Sequence, residues 1–133
     1  FHTMDYNWQD KLIVIVDDKK MNFDLLKTQL RKTKASFIWF ENGAQVLEYV
    51  KNGNRVDLIL MDIRMPVMDG IEASKAIKEI RPEIPIVIQT ASVMGSAYDE
   101  ISTSKCDDTI FKPIDANKLI EVVANQFEKY AGI

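Results

Sequence analysis

A chain of 133 residues fits one domain and is long enough to bury a sizeable core. Its 47% hydrophobic and 28% charged content is ordinary for a globular protein, and a net charge of −3 argues against a nucleic-acid-binding or membrane-binding surface. One cysteine, Cys106, excludes an internal disulfide and fits a reducing cytoplasm, while one histidine, His2, argues against histidine catalysis and His/Cys metal sites. No apolar run approaches the roughly 20 residues that span a bilayer, and the polar start Phe1-His-Thr-Met-Asp5 is not a signal peptide.

Residues 1–10 read as a tail or linker, with Tyr6 and Trp8 able to pack on the domain edge, and residues 11–133 as the domain. Leu12 to Val16 is a short β-branched apolar run, the pattern of a strand buried on both faces, and it ends on Asp17-Asp18. Met21 to Lys32 carries residues at helical spacing, with Met21 and Leu25 on one row and Asn22, Leu26 and Leu30 on another. Ser36 to Phe40 reads as a second strand, and a short helix carrying Val46, Leu47 and Val50 follows the Glu41-Asn-Gly43 turn. Lys51-Asn-Gly-Asn54 closes that helix with a glycine stop signal.

Leu58 to Met61 is a third apolar strand, ending abruptly on Asp62. A loop with Pro66 and Asp69-Gly70 leads into a helix over Gly70 to Ile80, with Ala73, Ile77 and Ile80 on one face. Two prolines, Pro82 and Pro85, make a loop before the fourth strand, Ile86 to Ile88, which runs into Gln89-Thr90. Residues 95–104 form the weakest helix, since Gly95, Ser96, Ser102, Thr103 and Ser104 have mediocre propensity. Thr109 to Phe111 is a fifth strand ending on Lys112-Pro113. Asp115 is placed to cap a last helix whose stripe is Ala116, Leu119, Val123, Phe127 and Tyr130.

Five βα units imply an α/β fold. Its parallel sheet is covered on both faces and doubly wound in the flavodoxin-like order 2-1-3-4-5. In such a sheet every strand ends on one edge, where ligands bind. Asp17, Asp18, Asp62, Thr90 and Lys112 converge there by topology. Three carboxylates so close must be relieved by protonation or by a bound cation. All-oxygen ligands without His or Cys favour Mg²⁺ over Zn²⁺. A metal-held carboxylate beside an amine and a hydroxyl suits phosphoryl transfer onto that carboxylate.

These residues resemble the receiver domain of two-component response regulators, from about Leu12 to Tyr130. The resemblance is carried by Asp17-Asp18, by Met61-Asp-Ile-Arg-Met-Pro-Val-Met-Asp-Gly70, by Thr90-Ala91 and by Lys112-Pro113. It implies a phospho-accepting signalling domain rather than a turnover enzyme, with Asp62 as acceptor. It implies that Asp18 and Asp62 ligate Mg²⁺ directly, Asp17 acts mainly through water, and the Arg64 backbone carbonyl completes the protein ligands. It makes Thr90 the switch hydroxyl and Lys112 the salt-bridge partner, with a cis Lys112-Pro113 bond. The implied partners are a histidine kinase or phosphotransfer domain, and a second copy of the chain through the helix 4–strand 5–helix 5 face. Residues 95–104 are expected to repack on that face when Thr90 is drawn to a phosphoryl group.

Two positions depart from the family pattern: Thr109 replaces an aromatic residue whose rotation reports phosphorylation, and Lys105 replaces a glycine. Arg64 and Ser92 read as solvated residues, although the resemblance sets them beside the phosphoryl group. Asp17-Asp18 alone would read as a helix cap. Trp39 and Cys106 read as packing residues, and Asp69-Gly70 as a turn plus helix start. A haloacid-dehalogenase-type phosphatase would need Asp-x-Asp at its nucleophile, where this chain has Asp62-Ile-Arg64. A pseudo-receiver interaction module, which keeps the fold without the chemistry, would lack the acidic pair, the acceptor or the lysine. The chain stops one helix after Lys112, so no output domain is expected within it. Its start on Phe1 favours an excised receiver of a hybrid histidine kinase over a single-domain or DNA-binding regulator.

Overall fold

The computed structural model describes residues 6–91 and 96–131; His2 and Ser92 fall outside them. Five strands, β1 (Leu12–Val16), β2 (Ser36–Phe40), β3 (Leu58–Asp62), β4 (Ile86–Thr90) and β5 (Asp108–Phe111), form one parallel sheet in the order β2-β1-β3-β4-β5. Five helices alternate with them: α1 (Lys20–Gln29), α2 (Gly43–Lys51), α3 (Gly70–Ile80), α4 (Ser96–Thr103) and α5 (Ala116–Ala131). Among the described residues no helix is long and apolar enough to cross a membrane.

The strand alternation of two sorts the apolar side chains into two layers. Ile13, Ile15, Leu58, Leu60, Val87 and Ile110 meet Leu26 and Leu30 beside α1 and Leu119 and Val123 of α5. Val14, Val16, Ile59, Met61, Ile86 and Ile88 meet Val46 and Val50 of α2 and Ile71 and Ile77 of α3. Fully burying each such side chain is worth about 1.5–3 kcal/mol, so the central strands dominate the hydrophobic drive.

Helix α1 ends earlier than its apolar spacing predicts, and a 3-10 turn, Arg31–Thr33, completes the segment. Lys34 then takes a left-handed conformation (φ 66°) that no helix continues. The buried face also differs. Leu26 and Leu30 are buried, but Met21 and Leu25 are 77% and 52% exposed, because Asn22 is turned inward toward Asp17. Ile80 of α3 is likewise exposed at the helix end, whereas Ala73 and Ile77 are buried as expected. Trp8, ahead of β1, is a core residue: its N–H donates to the Thr33 carbonyl (2.6 Å) and its ring meets Phe127 edge-on at 5.0 Å.

Asp115 caps α5 by accepting from the Lys118 N–H at 3.0 Å. In α4 the Ser102 and Thr103 hydroxyls donate back to the Asp99 and Glu100 carbonyls, the competition expected of a weak helix. Lys105, in the turn that follows, has φ 64°. A left-handed lysine is strained where glycine is not. Lys105→Gly is therefore expected to raise stability by about 0.5–1 kcal/mol. The check is a higher urea midpoint at an unchanged m-value.

Candidate functional site

The register Val16↔Met61, Asp62↔Gln89 and Thr90↔Phe111 brings the strands to a common C-terminal edge. There the ligand oxygens of Asp17, Asp18 and Asp62 all lie within 4.8 Å of one another. Asp17 is fully buried, Asp62 and Thr90 are buried, and Asp18 is exposed. The Lys112 ammonium stands 3.3 Å from Asp62 Oδ1 and 3.9 Å from Asp17 Oδ2. Asp18, Asp62, Arg64, Thr90 and Lys112 line one cavity of about 210 Å³. The structure thus gathers all six residues that the sequence singles out, and the Lys112-Pro113 bond is cis.

Local sequence explains the placement. Asp62 ends a strand buried throughout, and Gly70 lets α3 start against it: a Cβ on Gly70 would lie 2.0 Å from the Asp62 carbonyl oxygen. The Asp69 carboxylate caps α3 by accepting from the Glu72 N–H at 2.9 Å, the structural role expected of Asp69-Gly70. Between them the Met68 N–H donates to the Pro66 carbonyl at 2.8 Å across Val67, whose φ is 70°. This three-residue turn stores strain in an exposed β-branched residue of the β3–α3 loop.

The acidic pair is not the cap of α1. Lys19 occupies the N-cap position, with no side-chain cap bond. Asp17 instead accepts from the Lys19 N–H (2.9 Å) and from the Asn22 side-chain amide (3.2 and 3.1 Å). Asn22 was not legible as a site residue; its only signal is its place on the first turn of α1, five residues past Asp17. Trp39 packs, stacking on Phe23 at 5.9 Å, but its indole N–H also donates to the Asp17 carbonyl at 2.8 Å. Arg64 is exposed and pairs with Glu100 of α4 at 3.7 Å, a loose link between the cavity rim and that helix. Thr109 is half-buried, with its hydroxyl 3.9 Å from the Cys106 thiol.

Burial and the charge of Asp17 push the Asp62 carboxyl above its usual range, while Lys112 and the Ile63 N–H oppose them. Three carboxylates thus face one ammonium, through oxygen donors alone, and the Asp62 carboxylate is disfavoured as an anion. That donor set fits a hard divalent cation such as Mg²⁺. A raised carboxyl pKa also has a sign for stability. Folding favours the protonated form, so stability falls as pH rises from the unfolded value, near 3.9, through the raised folded one. In chelator at neutral pH, Asp62→Asn is expected to stabilise the fold by about 1–3 kcal/mol. Thermal melts check this, and the gain should shrink near pH 4.

The chain is similar to known proteins in sequence and in fold. The profile of the response regulator receiver domain matches residues 13–124. Over 123 residues the chain is 37% identical to the autoinducer 1 sensor kinase/phosphatase LuxN of Vibrio campbellii, covering 92% of this chain and 14% of that protein. It is 33% identical over 116 residues to the polar-differentiation response regulator DivK of Brucella anthropi, covering 85% of this chain and 93% of that protein. The receiver domain of sensor histidine kinase PA1611 from Pseudomonas aeruginosa superposes with a TM-score of 0.83 at 24% identity, over 89% of this chain and 98% of that one. That structure is described as having a magnesium ion coordinated in its active site cleft. The chain spans about one-seventh of the length of LuxN. With its fold, its acidic pocket and its match over residues 13–124, the chain belongs to the response regulator receiver domain family of two-component signalling.

Proposed function

We propose that Asp62 accepts a phosphoryl group from the phosphohistidine of a histidine kinase or phosphotransfer domain, in a Mg²⁺-dependent reaction. The observation that carries this reading is the cluster itself: three carboxylates within 4.8 Å, with one ammonium 3.3 Å from Asp62. An Asp62 oxygen attacks phosphorus in line, and the bond from phosphorus to the imidazole nitrogen breaks. The electron pair stays on that nitrogen, and because the donor's other ring nitrogen carries a proton, the leaving group is neutral imidazole. Hydrolysis reverses the gain: water attacks phosphorus, the bond to Asp62 breaks, and inorganic phosphate leaves.

Asp18 and Asp62, with Asp17 mainly through water and the Arg64 carbonyl, would hold Mg²⁺, which supplies charge neutralisation at the phosphoryl oxygens. Lys112 neutralises further charge, and the Thr90 hydroxyl hydrogen-bonds the new phosphoryl group. Movement of Thr90 would repack the weak α4 and alter the face made by α4, β5 and α5, where Phe111 is half exposed. A phosphotransfer partner or a second copy of the chain would read that face. Thr109 removes the aromatic reporter, so the change runs through α4. The likeness to LuxN, a sensor kinase/phosphatase, and to hybrid signal transduction histidine kinase I of Dictyostelium discoideum supports a parent chain of the hybrid histidine kinase kind.

Incubation with acetyl phosphate and Mg²⁺, followed by intact-mass measurement, tests the reading. One added phosphoryl mass is expected, lost in chelator and in Asp62→Asn. No added mass would leave a receiver fold that signals without phosphorylation.

A further inference from the structure

Gln89 has no place in the motifs above, yet it sits beside the acceptor. It lies directly across from Asp62 in the β3–β4 register, so both side chains leave the same face of the sheet. That face carries Leu60, Val87 and Ile110 below it, all apolar and buried. Gln89 is 0% exposed, and neither its side-chain oxygen nor its nitrogen has a hydrogen-bond partner. A buried, unpaired amide carries a desolvation penalty that an apolar residue would not.

Its surroundings name the missing partner. A second cavity, about 220 Å³, lies between α1 and the Lys112–Ile114 segment. Gln89, Asn22 and Lys112 line both this cavity and the acidic one, so they form the partition between them. The Asn22 amide already donates to Asp17. The Lys112 ammonium has three protons to donate. Its contacts to Asp62 and Asp17, at 3.3 and 3.9 Å, are longer than the roughly 2.7–2.9 Å of a tight charge-assisted bond. The partition therefore holds an under-used donor and an unused acceptor.

We propose that Gln89 is a positioning residue for Lys112. Through one ordered water, its amide oxygen accepts an ammonium proton that Asp62 does not use, and so aims Lys112 at the transferring phosphoryl group. The inference rests on Asp62 being the acceptor. A water is a sufficient bridge because the partition is polar and opens on both cavities.

The test is a double-mutant cycle on the rate of phosphorylation by acetyl phosphate with Mg²⁺. Gln89→Leu is expected to lower the rate about 3–10-fold in the wild-type background and by less than about 1.5-fold in Lys112→Ala. Mg²⁺ affinity, read from Trp39 fluorescence without donor, should stay within about twofold, because no metal ligand changes. Gln89→Met, unbranched and of similar length, should reproduce the loss and guards against a packing defect at leucine. Equal losses in both backgrounds would make Gln89 merely structural and overturn the proposal. A wild-type protein that is phosphorylated, with Gln89→Leu and Gln89→Met unaltered, overturns it alone. A wild-type protein that takes no phosphoryl group overturns the acceptor reading and this inference with it.

Discussion

Lys112→Ala is expected to slow the proposed phosphorylation of Asp62 by about 100-fold, the scale of removing one preorganised charge donor from a transition state. The ammonium is the one cation within reach of Asp62 among the described ion pairs, 3.3 Å from its Oδ1. In the proposed transfer the attacking carboxylate and the phosphoryl group would both be negative, and the site already holds two further carboxylates. On the proposed mechanism, their repulsion in the absence of Lys112 would be opposed only by a bound cation and the Thr90 hydroxyl. The same variant leaves buried Asp17 and Asp62 uncompensated, so in chelator the fold should also lose stability, and Mg²⁺ should restore part of it. Initial rates from intact mass, at saturating Mg²⁺, make the check. A rate within threefold of wild type would show that Lys112 is not aimed at the reacting group.

Lys78→Met should cost about 3–5 kcal/mol of folding stability, although it lies at the opposite edge of the sheet from Asp62. Lys78 Nζ is 2.6 Å from Asp107 Oδ2, and both side chains are almost fully buried (8% and 7% exposed). Lys78 also donates to the Ile84 carbonyl at 2.7 Å. Asp107 accepts from the Ile86 N–H at 2.8 Å and from the Tyr130 hydroxyl at 2.6 Å. One carboxylate thus ties the end of α3, the starts of β4 and β5, and the end of α5. Burial would push the Asp107 carboxyl up. The bonds from Lys78, Tyr130 and Ile86 outweigh that and bring it below its usual range. Burial and Asp107 in turn push the Tyr130 hydroxyl up to about 12.

The signs follow from linkage. A depressed carboxyl contributes stability above its unfolded value, near 3.9, and loses it as pH falls through the lower folded one. A raised tyrosine contributes below its unfolded value near 10 and loses it as pH rises toward 12. Urea unfolding at pH 7 and below pH 4 should show a large Lys78→Met deficit that narrows in acid, as the unfolded carboxyl gains its proton. A deficit under 1 kcal/mol at pH 7 would mean the pair is solvated.

Most of the fold was legible because its signals are local. The apolar runs at β1, β3 and β4 are buried on both faces, and Asp69 and Asp115 cap the helices they precede. The site was legible because parallel strands end together, so topology alone gathers Asp17, Asp62, Thr90 and Lys112. What escaped depends on contacts distant in sequence. The face of α1 is set by Asn22 reaching back to Asp17, which leaves Met21 and Leu25 outside. Trp8 is recruited by Phe127, more than a hundred residues away. Tyr130 reads as part of an apolar stripe, but its hydroxyl completes a network with Asp107 and Lys78. Gln89 hides at the end of an apolar strand, and only the β3–β4 register sets it beside Asp62.

Borohydride reduction tests the assignment of Asp62 most directly, since hydride converts an aspartyl phosphate to homoserine. After acetyl phosphate, Mg²⁺ and borohydride, peptide mass spectrometry should find homoserine at position 62. It should find none at Asp17 or Asp18, and none when donor or Mg²⁺ is omitted. Homoserine at another carboxylate, or none anywhere while intact mass shows an added phosphoryl group, would contradict Asp62 as the acceptor.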